Sequence, residues 1–197
     1  MQGFEDTKEQ TPQQHLAVFF DTLPRVEAGA TYRIPRQEID SLIEKGVSVE
    51  MVASEFVRRG YFIHGSAAGV ARLEPRQSLC LSGDPDNCQT GVYGSILPSV
   101  SLFHAIKGQG RGVTGTSIHT TEEDGIITHS VQFEADHVIP EDTKGFVYIL
   151  PGDTFARAGD GGQFVSPVAV VPAYVIEVER KDFMHPIEFV SRTVSHE

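Results

Sequence analysis

Three short stretches carry side chains able to hold a small polar ligand. His64, Gly65 and Ser66 close the apolar run Tyr61-Phe62-Ile63. A neutral imidazole can donate one hydrogen bond and accept another, and a neighbouring glycine lets a ligand approach the backbone. Gly91–Ser95 (G-V-Y-G-S) supplies Tyr93 and Ser95, and Phe103 and His104 follow shortly after. Gln163 opens the run Q-F-V-S, directly after a stretch with three glycines in four residues. Taken singly, each has an ordinary structural explanation. A histidine at a strand end is satisfied by its neighbours, a strand tyrosine packs with its hydroxyl at the rim, and a glutamine after glycines marks a loop exit.

The elements that must position these residues can be read from local pattern. Thr11 caps a helix with Pro12 at its first position and apolar residues at helical spacing. A second helix is expected from about Pro35 to the stop at Gly46, and a third behind Ser48, ending at Gly60. Residues 11–60 are thus a helical N-terminal segment, with residues 1–10 frayed ahead of it. After Gly60 the chain reads as strands bounded by turn compositions: Y-F-I-H, S-L-C-L, G-V-Y-G, G-I-I-T-H-S-V-Q-F, G-F-V-Y-I-L, Q-F-V-S and A-Y-V-I-E-V-E. A hairpin is expected to turn at Glu123-Asp124-Gly125. One helix interrupts the strands, P-S-V-S-L-F-H-A-I, with Pro98 in its first turn. The fold class is α+β, helices first and a mostly antiparallel body after.

In order, H-G-S ending an apolar strand, G-V-Y-x-S before a helix, and a glycine-rich loop before a late strand resemble the ADP-ribosyltransferase superfamily. The nearer likeness is its histidine–tyrosine–glutamate branch, the diphtheria-toxin-like and poly(ADP-ribose) polymerase-like enzymes, and it covers about residues 61–180. The resemblance implies a split β-sheet body over residues 61–197 with NAD, as substrate, in a cleft and no metal. It implies that His64 holds the adenosine-side ribose while Gly65 and Ser66 help clamp the dinucleotide. Tyr93 would stack on the nicotinamide, with Ser95 nearby. A second aromatic is implied eleven positions after Tyr93, where His104 stands beside Phe103. Arg76 is a candidate for the pyrophosphate, because a guanidinium fork suits phosphate oxygens.

The pattern departs at Gln163, where the family carries glutamate in runs such as N-E-Y-I-V. Glutamine keeps a hydrogen bond but brings no charge to a cation-like sugar. The implied activity is transfer of ADP-ribose from NAD to a macromolecular acceptor, a protein rather than a nucleic acid. The alternative is a degenerate domain that binds NAD, ADP-ribose or a partner without efficient turnover.

Composition bounds other classes. A formal charge of −11 over 197 residues argues against a surface that embraces nucleic acid phosphates. No apolar run reaches the roughly 18 residues of a membrane span, and the first residues lack the order of a signal peptide, so a soluble, cytoplasmic protein is expected. Cys80 and Cys88 are read as free thiols. His119, His129 and His137 lack metal-ligand spacing. Neither G-x-S-x-G nor a Walker phosphate loop is present.

Overall fold

The computed structural model describes residues 10–77, 89–107, 114–123, 126–158 and 162–189. The architecture is mixed, with four α-helices and two sheets among the described residues. Helix α1 (Pro12–Thr22) begins in a reciprocal capping box between Thr11 and Gln14. A short strand, β1 (Tyr32–Ile34), precedes α2 (Arg36–Glu44) and α3 (Val49–Arg58). Ser48 caps α3 through the Met51 amide. Gly46 and Gly60 end these two helices with φ of 78° and 88°, values that favour glycine. The N-terminal segment is therefore not purely helical: β1 runs parallel to a strand over a hundred residues away, Tyr32 opposite Tyr174. Nor does it stand apart, because Phe19, Phe20, Ile39, Val52 and Phe56 share one core with residues of the β body.

The remaining elements are β2 (Phe62–Ser66), β3 (Arg76–Gln77), β4 (Thr90–Ser95), α4 (Pro98–Ile106), β5 (Thr114–Glu123), β6 (Ile126–Ala135), β7 (Lys144–Leu150), β8 (Ala156–Ala158), β9 (Gln163–Ser166), β10 (Tyr174–Glu179) and β11 (Glu188–Phe189). The large sheet has the order β1-β10-β7-β2-β4-β9-β8, with β3 against β4. The small sheet is β11-β6-β5. Strands β5 and β6 pair out to Glu123 and Ile126, so the hairpin closes where the turn residues lie. Asp124 and Gly125 themselves, like S-L-C-L, Cys80 and Cys88, lie outside the described residues.

Strand β7 is buried on both faces, which is why G-F-V-Y-I-L has no polar alternation. Val147 and Ile149 face the larger core under the helices, while Tyr148 and Leu150 join Leu73, Val92, Val170 and Val175 in a smaller core on the other side. Helix α4 lies between the large sheet and the small one. Phe103 meets Phe133 of β6 at 5.0 Å between ring centroids and Phe183 at 5.6 Å. A helix covered on so many sides has to be apolar almost all round, and this one is.

A partly buried ion pair ties α2 to the turn that follows β10. Arg36 is bonded to both carboxylate oxygens of Asp182, one at 3.0 Å, and also to Asp40 and the Glu177 carbonyl. Asp182 in turn accepts the Glu179 amide at 2.7 Å. The Asp182 hydrogen bond holds the Arg36 guanidinium firmly charged despite its burial.

Candidate functional site

The large sheet is almost two sheets. Strand β2 pairs with β7 over five positions but meets β4 only at Ile63 opposite Ser95. Beyond that bridge the strands part; His64 and Tyr93 stand on the two strands that separate, and Gln163 stands one strand further, across β4. His64 follows Ile63 on β2, Tyr93 precedes Ser95 on β4, and Gln163 lies opposite Ser95 on β9.

Hydrogen-bond alternation defines what faces the gap. Ile96 donates its amide to Gly162 on the β9 side, so the peptide groups of Ser95, one residue earlier, point towards β2. Tyr93, two residues before Ser95, shares that direction. Its carbonyl is met not by a β2 amide but by the His64 ring, Nδ1 at 2.8 Å. The imidazole thus fills a rung that the diverging backbones no longer make. By the same parity the peptide groups of Gly65 point from β2 into the gap.

A carbonyl only accepts, so Nδ1 carries the proton of this bond. Desolvation is the largest influence on His64 and pushes its pKa down; the Tyr93 bond opposes it, and Arg76 reinforces it. The ring is therefore neutral, and Nε2 is left as an acceptor. His104 is neutral as well, its pKa lowered to about 3 by burial, by Lys107 and by His64.

The structure sorts the other candidates. Strand alternation places His64 on the Tyr148 side of the sheet, their ring centroids 6.2 Å apart, while Tyr93, Ser95 and Gln163 share the opposite face. His64 and Tyr93 meet at the parting rather than on one face. The Tyr93 hydroxyl exchanges bonds of 3.0 Å with the Gln89 backbone, which fixes the ring along its own strand. Ser66 accepts the Ala68 amide in a local turn. Arg76 is exposed on β3, within electrostatic range of His64.

Two readings need correction. Phe103 is fully buried in the aromatic core between the sheets, so it offers no face to a ligand; His104, its half-buried neighbour, is left for that place. Ser95 is also buried, and its hydroxyl accepts the Leu97 amide at 2.9 Å to shape the entry into α4. Gly65 is glycine for packing: a Cβ there would overlap the Ser101 carbonyl of α4. Ser101 completes that contact by donating to the Ile63 carbonyl at 3.0 Å. Only the Gly65 backbone remains available to a ligand.

Two residues escaped sequence reasoning. Tyr148 accepts the Val70 amide at 2.7 Å and donates to the Ala68 carbonyl at 2.8 Å, anchoring the loop that follows H-G-S. Nothing local marks it, because its partners are some eighty residues away. Lys107 ends α4 three residues beyond His104, half-buried, its pKa lowered by desolvation. Its spacing from His104 was a usable signal.

A separate groove of about 490 Å³ holds none of these residues; Asp40, Ile43, Glu44, Lys181 and Met184 line it. Two of its three acids, Asp40 and Asp182, are already engaged by Arg36. Among the described residues no set of three His, Cys, Asp or Glu side chains is gathered as for a metal, and no helix is long and apolar enough to cross a membrane. Comparison of the chain with protein-family models, with curated proteins and with solved structures found no match.

Proposed function

We propose that the parting between β2 and β4 is the dinucleotide cleft of an ADP-ribosyltransferase-like domain, and that NAD is its ligand. The observation that carries this reading is the His64–Tyr93 bond. It leaves Nε2 as a hydrogen-bond acceptor at the point where β2 and β4 part, with the Arg76 guanidinium near enough to act on the ring electrostatically. An acceptor for a hydroxyl next to a cation for a phosphate is what a ribose phosphate requires. The unpaired side of Gly65 adds backbone groups able to bind a ligand amide.

In this reading the domain cleaves the nicotinamide–ribose bond and passes ADP-ribose to a macromolecule, a protein before a nucleic acid given the chain's charge of −11. Gln163, in register with Ser95 at the edge of the parting, would hold the nicotinamide-side ribose by its amide. The bond-breaking step builds positive charge on the sugar, as in glycoside hydrolysis. A preorganised polar group aimed at such charge is worth about 10²–10³ in rate, and glutamine supplies only its dipole. This favours a second reading, a domain that binds NAD or ADP-ribose and turns over slowly.

Calorimetry with NAD tests the site, and nicotinamide release tests the activity. Wild-type binding lost in His64→Ala supports the cleft; undiminished binding in that variant refutes it. Gln163→Glu is expected to raise nicotinamide release; no change despite retained binding counts against the placement of this strand. Labelled NAD added to a lysate then reports whether protein or nucleic acid is modified.

A further inference from the structure

The groove formed by α2, the start of α3 and the turn after β10 has a volume of about 490 Å³, within the roughly 300–1,000 Å³ of ligand clefts. Asp40, Ile43 and Glu44 share one flank of α2 at helical spacing, and Met184 lines the groove from the turn. Its apolar side chains stand in water: Ile43 is 38% exposed and Met184 80%. Large apolar side chains gathered on an exposed groove mark a contact surface, and a flexible methionine adapts to a partner's shape. The charge there is uneven. Arg36 is matched by Asp182, and Lys181 by Glu179 at 2.8 Å. Arg36 reaches Asp40 through Oδ1 alone, which leaves Oδ2. Glu44 is exposed and makes no hydrogen bond or ion pair among the described residues. What stays unmatched is negative charge beside apolar surface.

We propose that this groove docks a protein partner through a basic, aliphatic segment. An arginine of the partner lies between Asp40 and Glu44, and a neighbouring leucine-like side chain covers Ile43 and Met184. A guanidinium fork can bond two carboxylates while its stem packs on apolar surface. Two like charges four residues apart on a helix repel each other, so a cation between them relieves a cost that the free protein carries. The same acids repel the phosphates of a nucleic acid or a lipid surface, and the chain's charge of −11 steers a basic partner inward. The groove shares no residue with the proposed cleft, so NAD plays no part in this contact.

The probe is a fluorescein-labelled amphipathic peptide of leucine and arginine, added to the full chain and read by fluorescence anisotropy. Two twins accompany it, one with glutamate for each arginine and one with serine for each leucine. Only the leucine–arginine peptide is expected to bind well, and its affinity should fall as salt is raised. Glu44→Lys should weaken it roughly tenfold, as reversing a charge at contact distance near a protein surface implies. Met184→Ser should weaken it too, by removing apolar contact at a side chain outside the core. Glu27→Lys makes the same charge change at an exposed acid outside the groove and should have little effect. No binding by the leucine–arginine peptide overturns the proposal. So does an equal loss in Glu44→Lys and Glu27→Lys, which would mean general attraction to an acidic surface. Undiminished binding of the serine twin overturns it as well, because the site would then take cations alone.

Discussion

Protonating His104 should weaken the fold, and the size of the effect can be worked out. Its pKa falls from an ordinary 6.5 to about 3 in the folded chain, chiefly because the ring is buried. Between these values the unfolded chain binds a proton that the folded chain refuses, so stability rises with pH across that window. Above pH 6.5 both states are neutral here and the residue contributes no slope. At pH 5 the unfolded state gains about 2 kcal/mol from protonating this one site, relative to pH 8. Urea unfolding measured from pH 8 to pH 5 contains this term together with those of the acids. His104→Phe removes it while keeping an apolar ring of similar bulk beside Phe103. The difference between wild type and variant should therefore grow by about 2 kcal/mol in favour of the variant as the pH falls from 8 to 5. A difference that stays flat over that range would mean His104 is hydrated when folded, and the argument for a neutral, desolvated pair of rings would fail.

Removing the Asp182 carboxylate leaves Arg36 buried without its main partner, so Asp182→Ala should cost about 3 kcal/mol in urea unfolding. The double change Arg36→Met with Asp182→Leu should recover much of it, and a double variant no better than the single would show that the cost is not electrostatic. Gly65→Ala forces α4 off β2 and should lower stability by about 1–3 kcal/mol, read as a lower melting temperature. Tyr148→Phe strips the Val70 amide and the Ala68 carbonyl of their partner, a loss of about 1–3 kcal/mol, and hydrogen exchange should accelerate first at Ala68–Val70. Lys181, Lys144 and Arg36 hold Glu179 down to a pKa of about 2. Its stabilising contribution should be complete above about pH 4.5 and lost as pH falls through about 2, checked by acid titration of Glu179→Gln against wild type.

What the sequence disclosed follows the range of the forces involved. Thr11 and Ser48 mark helix starts because each cap bond is satisfied within three residues, and Pro98 does so because its fixed φ suits the first helical position; all three helices begin there. The apolar run of β7 announced a strand, and the structure buries it on both faces. Strand β1 was not legible: three residues, Tyr32–Ile34, become a strand only because β10 offers an edge from the far end of the chain. Strand β8, Ala156–Ala158, has little β preference of its own and forms against β9. At the site, the order of His64, Tyr93 and Gln163 located neighbouring strands, but what each residue spends its atoms on was a tertiary matter. Glycine at 65 answers to the Ser101 carbonyl, a fact no local pattern contains. Ser95 was different, since its hydroxyl caps Leu97 two residues on, and a serine shortly before Pro98 could have been read as a turn.

The parting of the sheet and the burial of α4 are one phenomenon. Ser101 and Gly65 bring the helix backbone onto β2, and Phe103 anchors the same helix to Phe133 and Phe183 of the opposite layer. A helix fixed on both sides holds β2, while Ser95 and Leu97 fix its entry from β4. The two strands are thus held at one end by the Ile63–Ser95 bridge, and beyond it the His64 ring reaches the Tyr93 carbonyl. Closing the gap into an ordinary ladder would have to expel that ring, whose desolvated neutral form the core already accommodates. Leaving it open turns the Gly65 peptide groups into the gap, where a ligand with matching donors and acceptors could bond them. The opening proposed as the cleft is thus a consequence of how α4 is packed on both sides.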